Sequence, residues 1–451
     1  MDDLGCSSSI APWYGWVVVS VACILYVCSS TGWTVGVNMF VDHWIVDLEL
    51  TRSEVSSTWL FSSVFSATAV PFYGILVDRI GNRRALVPVV VIFVTSLYIA
   101  SKVTNVLQLG VILALIRFSG PEGFMLTSQN VVNKWFVVHR GRACSALSFF
   151  GSLSTIAPVM LGWLINNYGW RNTYQIISAG SCVVLAIVLY FIRDDPRNHG
   201  LEPDGKMHVY EQLPDDENKR DMVKKETNMD MKQVLRTKLF WSVTCSSSFF
   251  SVYWSALNYH VNDFFMNQAR LDSNRIAELI YIPLTASIML FGLLIGGFVV
   301  DRISETAKTV LLGFSYIGLA FSMFISTQVT SSGLAVGFAI CYGFFVGVRD
   351  SVQLVLFANA FGTKCFGTVQ GVLASANIFA TGFGPLLFSV VKDRAGNYQS
   401  ITMVLAAIVL VSGVVIICPN SNKSVPKALR VDNVTPFSSK IFLQKQLSFK
   451  E

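Results

Sequence analysis

Residues Gly74–Arg84 read GILVDRIGNRR, a short charged hinge between two long apolar runs, and the rest of the chain is read outward from it. Asp78, Arg79, Arg83 and Arg84 lie within seven residues, with Gly81 among them and Gly74 four residues before Asp78. A weaker copy recurs 223 residues later as Gly297-Phe-Val-Val-Asp301-Arg302-Ile303. One such hinge could arise by chance. Two, at the same place in each half of the chain, argue for a duplicated membrane unit.

Composition agrees. Of 451 residues, 53% are hydrophobic, 14% are charged and 33 are phenylalanine, more apolar side chain than a soluble protein of this size can bury. A very apolar soluble enzyme is excluded because apolar runs of about 20 residues recur, long enough to cross a bilayer as helices. We read twelve spans at Tyr14–Val41, Glu54–Val77, Ala85–Lys102, Leu107–Val132, Ala143–Asn166, Asn172–Ile192, Leu239–Met266, Ile276–Val300, Thr309–Gln328, Gly333–Ala360, Gly367–Val391 and Gln399–Cys418. The fold class is all-α: a polytopic membrane protein with twelve transmembrane helices in two pseudo-symmetric six-helix halves. A membrane barrel would need recurring alternating segments of about ten residues, and none is seen. The expected organisation is a tail (1–13), a first half (14–192), a linker (193–238), a second half (239–418) and a basic tail (419–451).

Positive charge orients the bundle. With both termini cytoplasmic, 25 of the 34 lysines and arginines fall on cytoplasmic segments, 7 on external ones and 2 inside spans. The expectation is a multi-pass protein of the lipid bilayer, the plasma membrane favoured over an organelle, with no nucleic-acid partner despite the net charge of +6. The N-terminus lacks the basic region of a secretory signal. The sequons at Asn422 and Asn433 lie in the tail and are expected to stay unglycosylated. The linker mixes acids and bases around Pro196, Pro203 and Pro214, and its end, Met229–Lys238, is expected to form a short interfacial helix. Nine scattered cysteines form no CxxC pair or Cys/His cluster, so neither a metal site nor a disulfide framework is indicated, and no cofactor is expected.

The halves match beyond the hinge. Trp135-Phe136, Arg140-Gly141, Pro158 and Gly169 correspond to Ala360-Phe361, Phe366-Gly367, Pro385 and Gly396 at offsets between 223 and 227. Small residues crowd spans five and eleven, where they let helix backbones approach closely.

On these residues the chain resembles the major facilitator superfamily, and within it the branch of monocarboxylate transporters and oxalate–formate antiporters. The resemblance is carried by Tyr14-Gly15-Trp16, Leu50-Thr-Arg-Ser53, Asp78–Arg84, Trp135-Phe136-x3-Arg140-Gly141, Gly169-Trp170-Arg171-Asn172-Thr173, the run from Asp195-Pro196 to Gly205, Phe361-Gly362 and Gly384-Pro385-Leu386. It implies two six-helix halves that rock about one central site. It also implies a gate in which Asp78 engages the positive end of a helix in the opposite half, with Arg83 or Arg84 steadying it. Gly74, Arg79, Gly81, Asp301 and Arg302 complete the gating set. Position 82 is Asn where the superfamily motif often has Arg. The second copy ends in Ser304-Glu305-Thr306, so it loses the basic half of the motif.

Ionisable groups inside spans point to function. Span four carries Arg117 and Glu122, and span ten carries Arg349 and Asp350. Overlaying the halves at offset 227 puts Glu122 on Arg349, an acid facing a base across the pseudo-symmetry axis. Arg349 is expected to bind a substrate carboxylate, because its planar fork suits that group. Glu122 is its expected partner in the empty state or a proton carrier, with Arg117 and Asp350 as further proton-coupling candidates. Arg349 and Asp350 should point about 100° apart and not pair. A structural ion pair between spans four and ten is the competing account. Span seven adds Asn258 and His260 as substrate-binding candidates beside Asn262 and Asp263, and His260 matches a histidine that recurs there in bacterial relatives of the branch. Trp33, Asn38, Gln129 and Asn130 are possible wall contacts. Members of the branch carry an arginine in helix eight and often a lysine in helix one or eleven. Here those spans lack them, Lys392 lying at the end of span eleven. Either Arg349 has taken over, or the substrate is not a simple monocarboxylate.

The reading is a secondary transporter, not an enzyme, that moves a small organic solute by proton symport or anion exchange. The solute expected is a monocarboxylate or dicarboxylate. No Walker-type loop and no nucleophile–base set is present. The alternatives are a facilitator of a neutral or zwitterionic solute and a non-transporting receptor on the same fold.

Overall fold

A computed structural model describes residues 11–152, 157–199, 201, 203, 229–260, 264 and 282–418. The tail beyond Cys418 with both sequons, most of the linker, and Asn262 and Asp263 lie outside the described residues. The described chain is helical, with no strand among it. Its long helices are α1 (Ala11–Cys28), α2 (Thr34–Asp47), α3 (Arg52–Ile80), α4 (Asn82–Ala100), α5 (Val106–Arg117), α6 (Met125–Trp135), α7 (Arg140–Ser152), α8 (Ala157–Phe191), α9 (Lys238–Tyr259), α10 (Ile282–Val300), α11 (Glu305–Thr327), α12 (Ser332–Phe361), α13 (Phe366–Ala395) and α14 (Gln399–Ile417).

Several expected spans are interrupted helices. Span one breaks between α1 and α2 at the 3₁₀ turn Ser29–Gly32, and span four breaks between α5 and α6 at the π-helical turn Phe118–Phe124. The two breaks face each other: a Cβ on Gly32 would lie 2.5 Å from Pro121 Cδ. Spans five and six meet inside α8, where Gly169 (φ 76°) turns the chain. Among the described residues, nine helical stretches are long and apolar enough to cross a bilayer. Leu284–Val300 is a shorter apolar helix, and the serine-rich α9 and the short α7 do not reach that apolarity among the described residues.

The packing is that of a protein turned outward toward lipid. Phe72, Leu107 and Val183 are exposed, whereas Ser62, Ser119, Ser128, Thr127, Asn130 and Arg117 are buried. Many buried hydroxyls donate one turn back on their own helices, as Ser62 Oγ does to Trp59 O (2.7 Å) and Thr127 Oγ1 to Gly123 O (2.8 Å), while Ser128 Oγ donates across to Ala22 O of α1 (3.1 Å). Pro385 lacks the N–H that would bind Thr381 O, and Ser255 of α9 donates to that carbonyl instead, at 2.7 Å. Between the halves, α3 lies along α13, and α7 lies along α10 and meets α12.

Candidate functional site

Two sites emerge, one at the hinge end of the bundle and one in its interior. At the hinge end, four-residue spacing puts Gly74 and Asp78 on one face of α3, and Gly297 and Asp301 on one face of the α10 end. Asp78 accepts from Gly367 N–H (3.0 Å), Thr368 N–H (2.7 Å) and Thr368 Oγ1 (2.6 Å) at the start of α13. Asp301 accepts from Gly141 N–H (2.6 Å) and Arg142 N–H (3.1 Å) at the start of α7, with the Arg142 guanidinium 3.7 Å away. Each carboxylate thus meets the unpaired amides and positive dipole end of a helix in the other half. The glycines permit the approach. A Cβ on Gly141 would lie 2.5 Å from Gly297 O, and one on Gly367 would lie 2.9 Å from Gly74 O.

Both copies of the hinge therefore make the same contact. The loss of the basic end in the second copy does not matter to it, because the aspartate and the glycine before it supply the whole geometry. The basic residues do something else. Arg83 N–H donates to Asp194 Oδ1 (2.6 Å) and Arg83 Nε to Leu189 O (3.1 Å), within its own half. Arg79, Arg84 and Arg302 are exposed, and the cation within electrostatic reach of Asp78 is Lys134. The expectation that Arg83 or Arg84 steadies Asp78 is corrected: the positive φ of Gly81 (90°) turns the chain before Arg83, aiming it at the end of α8. Asn82 is fully buried, and neither of its side-chain polar atoms is hydrogen-bonded among the described residues.

In the interior, Arg349 pairs with Asp350, its neighbour on α12. This corrects the expectation that the two do not meet. Their Cα–Cβ vectors diverge, but the long guanidinium stem curls back to reach the shorter acid. The Arg349 guanidinium carbon sits 4.4 Å from the centroid of the Phe250 ring, and the group lies within electrostatic reach of Tyr316, which donates to Gln353 Oε1 at 2.8 Å. Its Nε is buried without a partner among the described residues. Arg117 is built alike, 4.3 Å over Trp59, with its Nε also unpartnered. Glu122 has Arg117 as its electrostatic partner, not Arg349. The expected pairing across the axis fails because each arginine already has a carboxylate in its own half. Tyr26 of α1 connects the two: its hydroxyl donates to Met125 Sδ (3.4 Å), and it lies within electrostatic reach of both Glu122 and Asp350.

The remaining candidates are held elsewhere. His260 Nε2 lies 3.1 Å from Pro385 O and 3.2 Å from Ser389 Oγ, with its ring 5.6 Å from that of Tyr398, so α13 and α14 fix it. Asn258 is exposed and donates to Trp254 O (2.7 Å) on its own helix. Trp33 donates to Ser29 Oγ (2.9 Å), Asn38 is exposed, and Lys392 sits 5.3 Å over Tyr398. Tyr26, Trp59, Phe250 and Tyr316 are absent from the sequence-based candidates, since nothing marks one aromatic residue among so many.

A sequence profile of the Major Facilitator Superfamily matches residues 22–385. The probable sulfoacetate transporter SauU of Cupriavidus necator is 25% identical over 382 residues, covering 80% of this chain and 85% of that protein. Human monocarboxylate transporter 2 is 21% identical over 434 residues, covering 90% and 86%. Among solved structures, a double-tryptophan mutant of XylE has a TM-score of 0.71 at 15% identity, covering 93% of this chain and 98% of that one. The human organic anion transporter MFSD10 has a TM-score of 0.66 at 13% identity, covering 89% and 99%. With the outward-turned helical packing and the paired aspartate contacts described above, these matches establish that the chain belongs to the major facilitator superfamily of membrane transporters.

Proposed function

We propose that this transporter moves a small organic anion, a carboxylate or a sulfonate-bearing carboxylate, by alternating access coupled to proton symport or anion exchange. Arg349 carries the reading. It is a guanidinium whose side chain is only 12% exposed, set over an aromatic ring, neutralised by one acid and left with an unpartnered N–H among the described residues. Such a group recognises a planar anion through paired, charge-assisted hydrogen bonds. The substrate anion displaces Asp350 from Arg349, and Asp350 and Glu122 are the acids that take up the proton. Arg117 holds Glu122 in place. The names of the SauU and human relatives, which speak of sulfoacetate and monocarboxylates, support an organic-acid substrate.

In the same proposal Asp78 and Asp301 are the two latches of one gate. The hinge end is the cytoplasmic one, on the charge bias of the sequence, so the described conformation is shut on that side. The plasma membrane is the proposed location.

The test is uptake into proteoliposomes of short monocarboxylates, dicarboxylates and sulfocarboxylates, with a sugar and a neutral amino acid as counterparts. Anion uptake should be saturable in the parent and fall at least about a hundredfold in Arg349→Ala, the loss expected when a buried charge-assisted contact goes. Uptake confined to neutral solutes and untouched by Arg349→Ala would overturn the proposal.

A further inference from the structure

The two latches receive their aspartates on helix starts that are secured in different ways. At the first residue of α7, Arg140 reaches back so that its Nε donates to Phe136 O (2.9 Å) and one terminal nitrogen to Asn133 O (2.9 Å), and it also bonds Asn359 of the other half. This ties the turn between α6 and α7 to the amides that hold Asp301. The corresponding first residue of α13 is Phe366, which has no such donor. The carbonyl that corresponds to Phe136 O is Phe361 O, and it is not left open: Met229 N–H, from the end of the linker, donates to it at 3.1 Å.

More of the linker follows. Asp230 pairs with Lys364 at 3.1 Å, and the Met231 backbone lies against Cys365, the residue just before α13. Asp230 and Gln233 form a capping box around the turn Met231–Val234, with Asp230 N–H donating to Gln233 Oε1 at 3.0 Å. Met229 is 3% exposed and Val234 is fully buried, so apolar side chains anchor the segment. The next residues along α13, Gly367 and Thr368, are those whose amides bind Asp78. The turn from Phe361 to Cys365 is thus held by the linker on one side, and the helix it starts is held by Asp78 on the other.

We infer that the linker segment Met229–Thr237 positions the start of α13 for Asp78, with Met229, Asp230, Val234 and Lys364 as positioning residues of the gate. The linker does for the Asp78 latch what Arg140 does for the Asp301 latch. Two hydrogen bonds to one carboxylate demand an aligned helix end, and an end free to tilt loses one of them. The gate therefore depends on a segment that the covalent chain pulls on from both sides, and the state of the linker biases which way the carrier faces. This rests on the gate reading above, and the test separates the two.

The experiment is electron–electron distance measurement in proteoliposomes on the full chain. Spin labels are placed at the exposed positions Arg84 and Arg302, with Cys365→Ser and the other cysteines removed. Asp78→Ala should move the distribution from the short, closed distance to a longer one. Met229→Ala and Val234→Ala should each lower the closed-to-open ratio at least about tenfold, as loss of buried anchors does. The solvent-exposed pair should matter less, with Lys364→Met and Asp230→Asn each lowering the ratio by up to about fivefold, non-additively, and Lys364→Arg restoring the parent distribution. If Asp78→Ala opens the gate while Met229→Ala, Val234→Ala and Lys364→Met all keep the parent distribution, the positioning role is overturned and the gate stands. If Asp78→Ala changes nothing, the gate reading itself falls. Lys364→Met, at an exposed site, keeps the test decisive should a buried variant fail to fold.

Discussion

The sharpest consequence of the hinge-end geometry concerns a single hydrogen atom, in Gly141→Ala. The new Cβ would stand 2.5 Å from Gly297 O and 2.6 Å from Asp301 Oδ1, both on the facing element of the other half. Ordinary carbon–oxygen contacts are about 3.3–3.6 Å, so α7 and the end of α10 must separate by about 1 Å. The Gly141 N–H to Asp301 bond, now 2.6 Å, would then stretch beyond about 3.2 Å and cease to be a good hydrogen bond. Losing one bond to a charged acceptor costs about 1.5–3 kcal/mol. Residual overpacking costs about 1–3 kcal/mol more. Even about 3 kcal/mol, near the low end of the combined range, lowers the closed-to-open ratio more than a hundredfold, since about 1.4 kcal/mol is a factor of ten. Distances between labels at positions 84 and 302 read this directly. Gly162→Ala, on the following helix α8, is the control, because its Cβ would meet nothing within 4 Å. It should leave the distribution alone. A folded, monodisperse Gly141→Ala protein with the parent's closed population would refute the claim that this glycine pair sets the approach of the halves.

Acid should favour the closed gate through Asp301. Burial pushes its carboxyl above the usual carboxylate range, the amide bonds and Arg142 opposing this only in part, and an open gate would return it to water. The closed state then binds the proton more tightly, so the closed population rises as pH falls toward the ordinary value near 4 and is lost as pH rises through the raised value. Distance measurements from pH 4 to 8 should show this shift, reduced in Asp301→Ala. At the far end of the first half, Trp170 Nε1 donates to Asp47 Oδ2 at 2.6 Å and Arg171 stacks 4.1 Å over the indole. Trp170→Phe keeps a ring but loses that donor, and should cost about 1–3 kcal/mol, seen as a lower melting temperature with unchanged gate distances.

Much of this protein was legible in its sequence. Apolar run length and the polarity of the segments between runs are local properties, so the all-helical membrane class followed from them directly. Asp78 and Asp301 stood out because the same short charged hinge recurs at the same place in each half of the chain. Other features depended on which surfaces meet. The second hinge looked degraded because the Gly-x-Arg-Arg end was gone, yet its contact is made by Gly297 and Asp301, and that became visible once Gly141 was seen packed against them. Arg349 was singled out as a charge within a span, but its pairing was misread from helical angle alone, since a long flexible side chain can return to its neighbour. Phe250 and Trp59 were invisible among so many aromatics, because only packing makes one of them the floor beneath a guanidinium. Met229 carried no signal, since it contributes a backbone N–H, which every residue but proline possesses, and an apolar side chain whose burial only the fold reveals. What a chain segment is follows from its own residues, whereas what it touches is decided by the shape of everything folded around it.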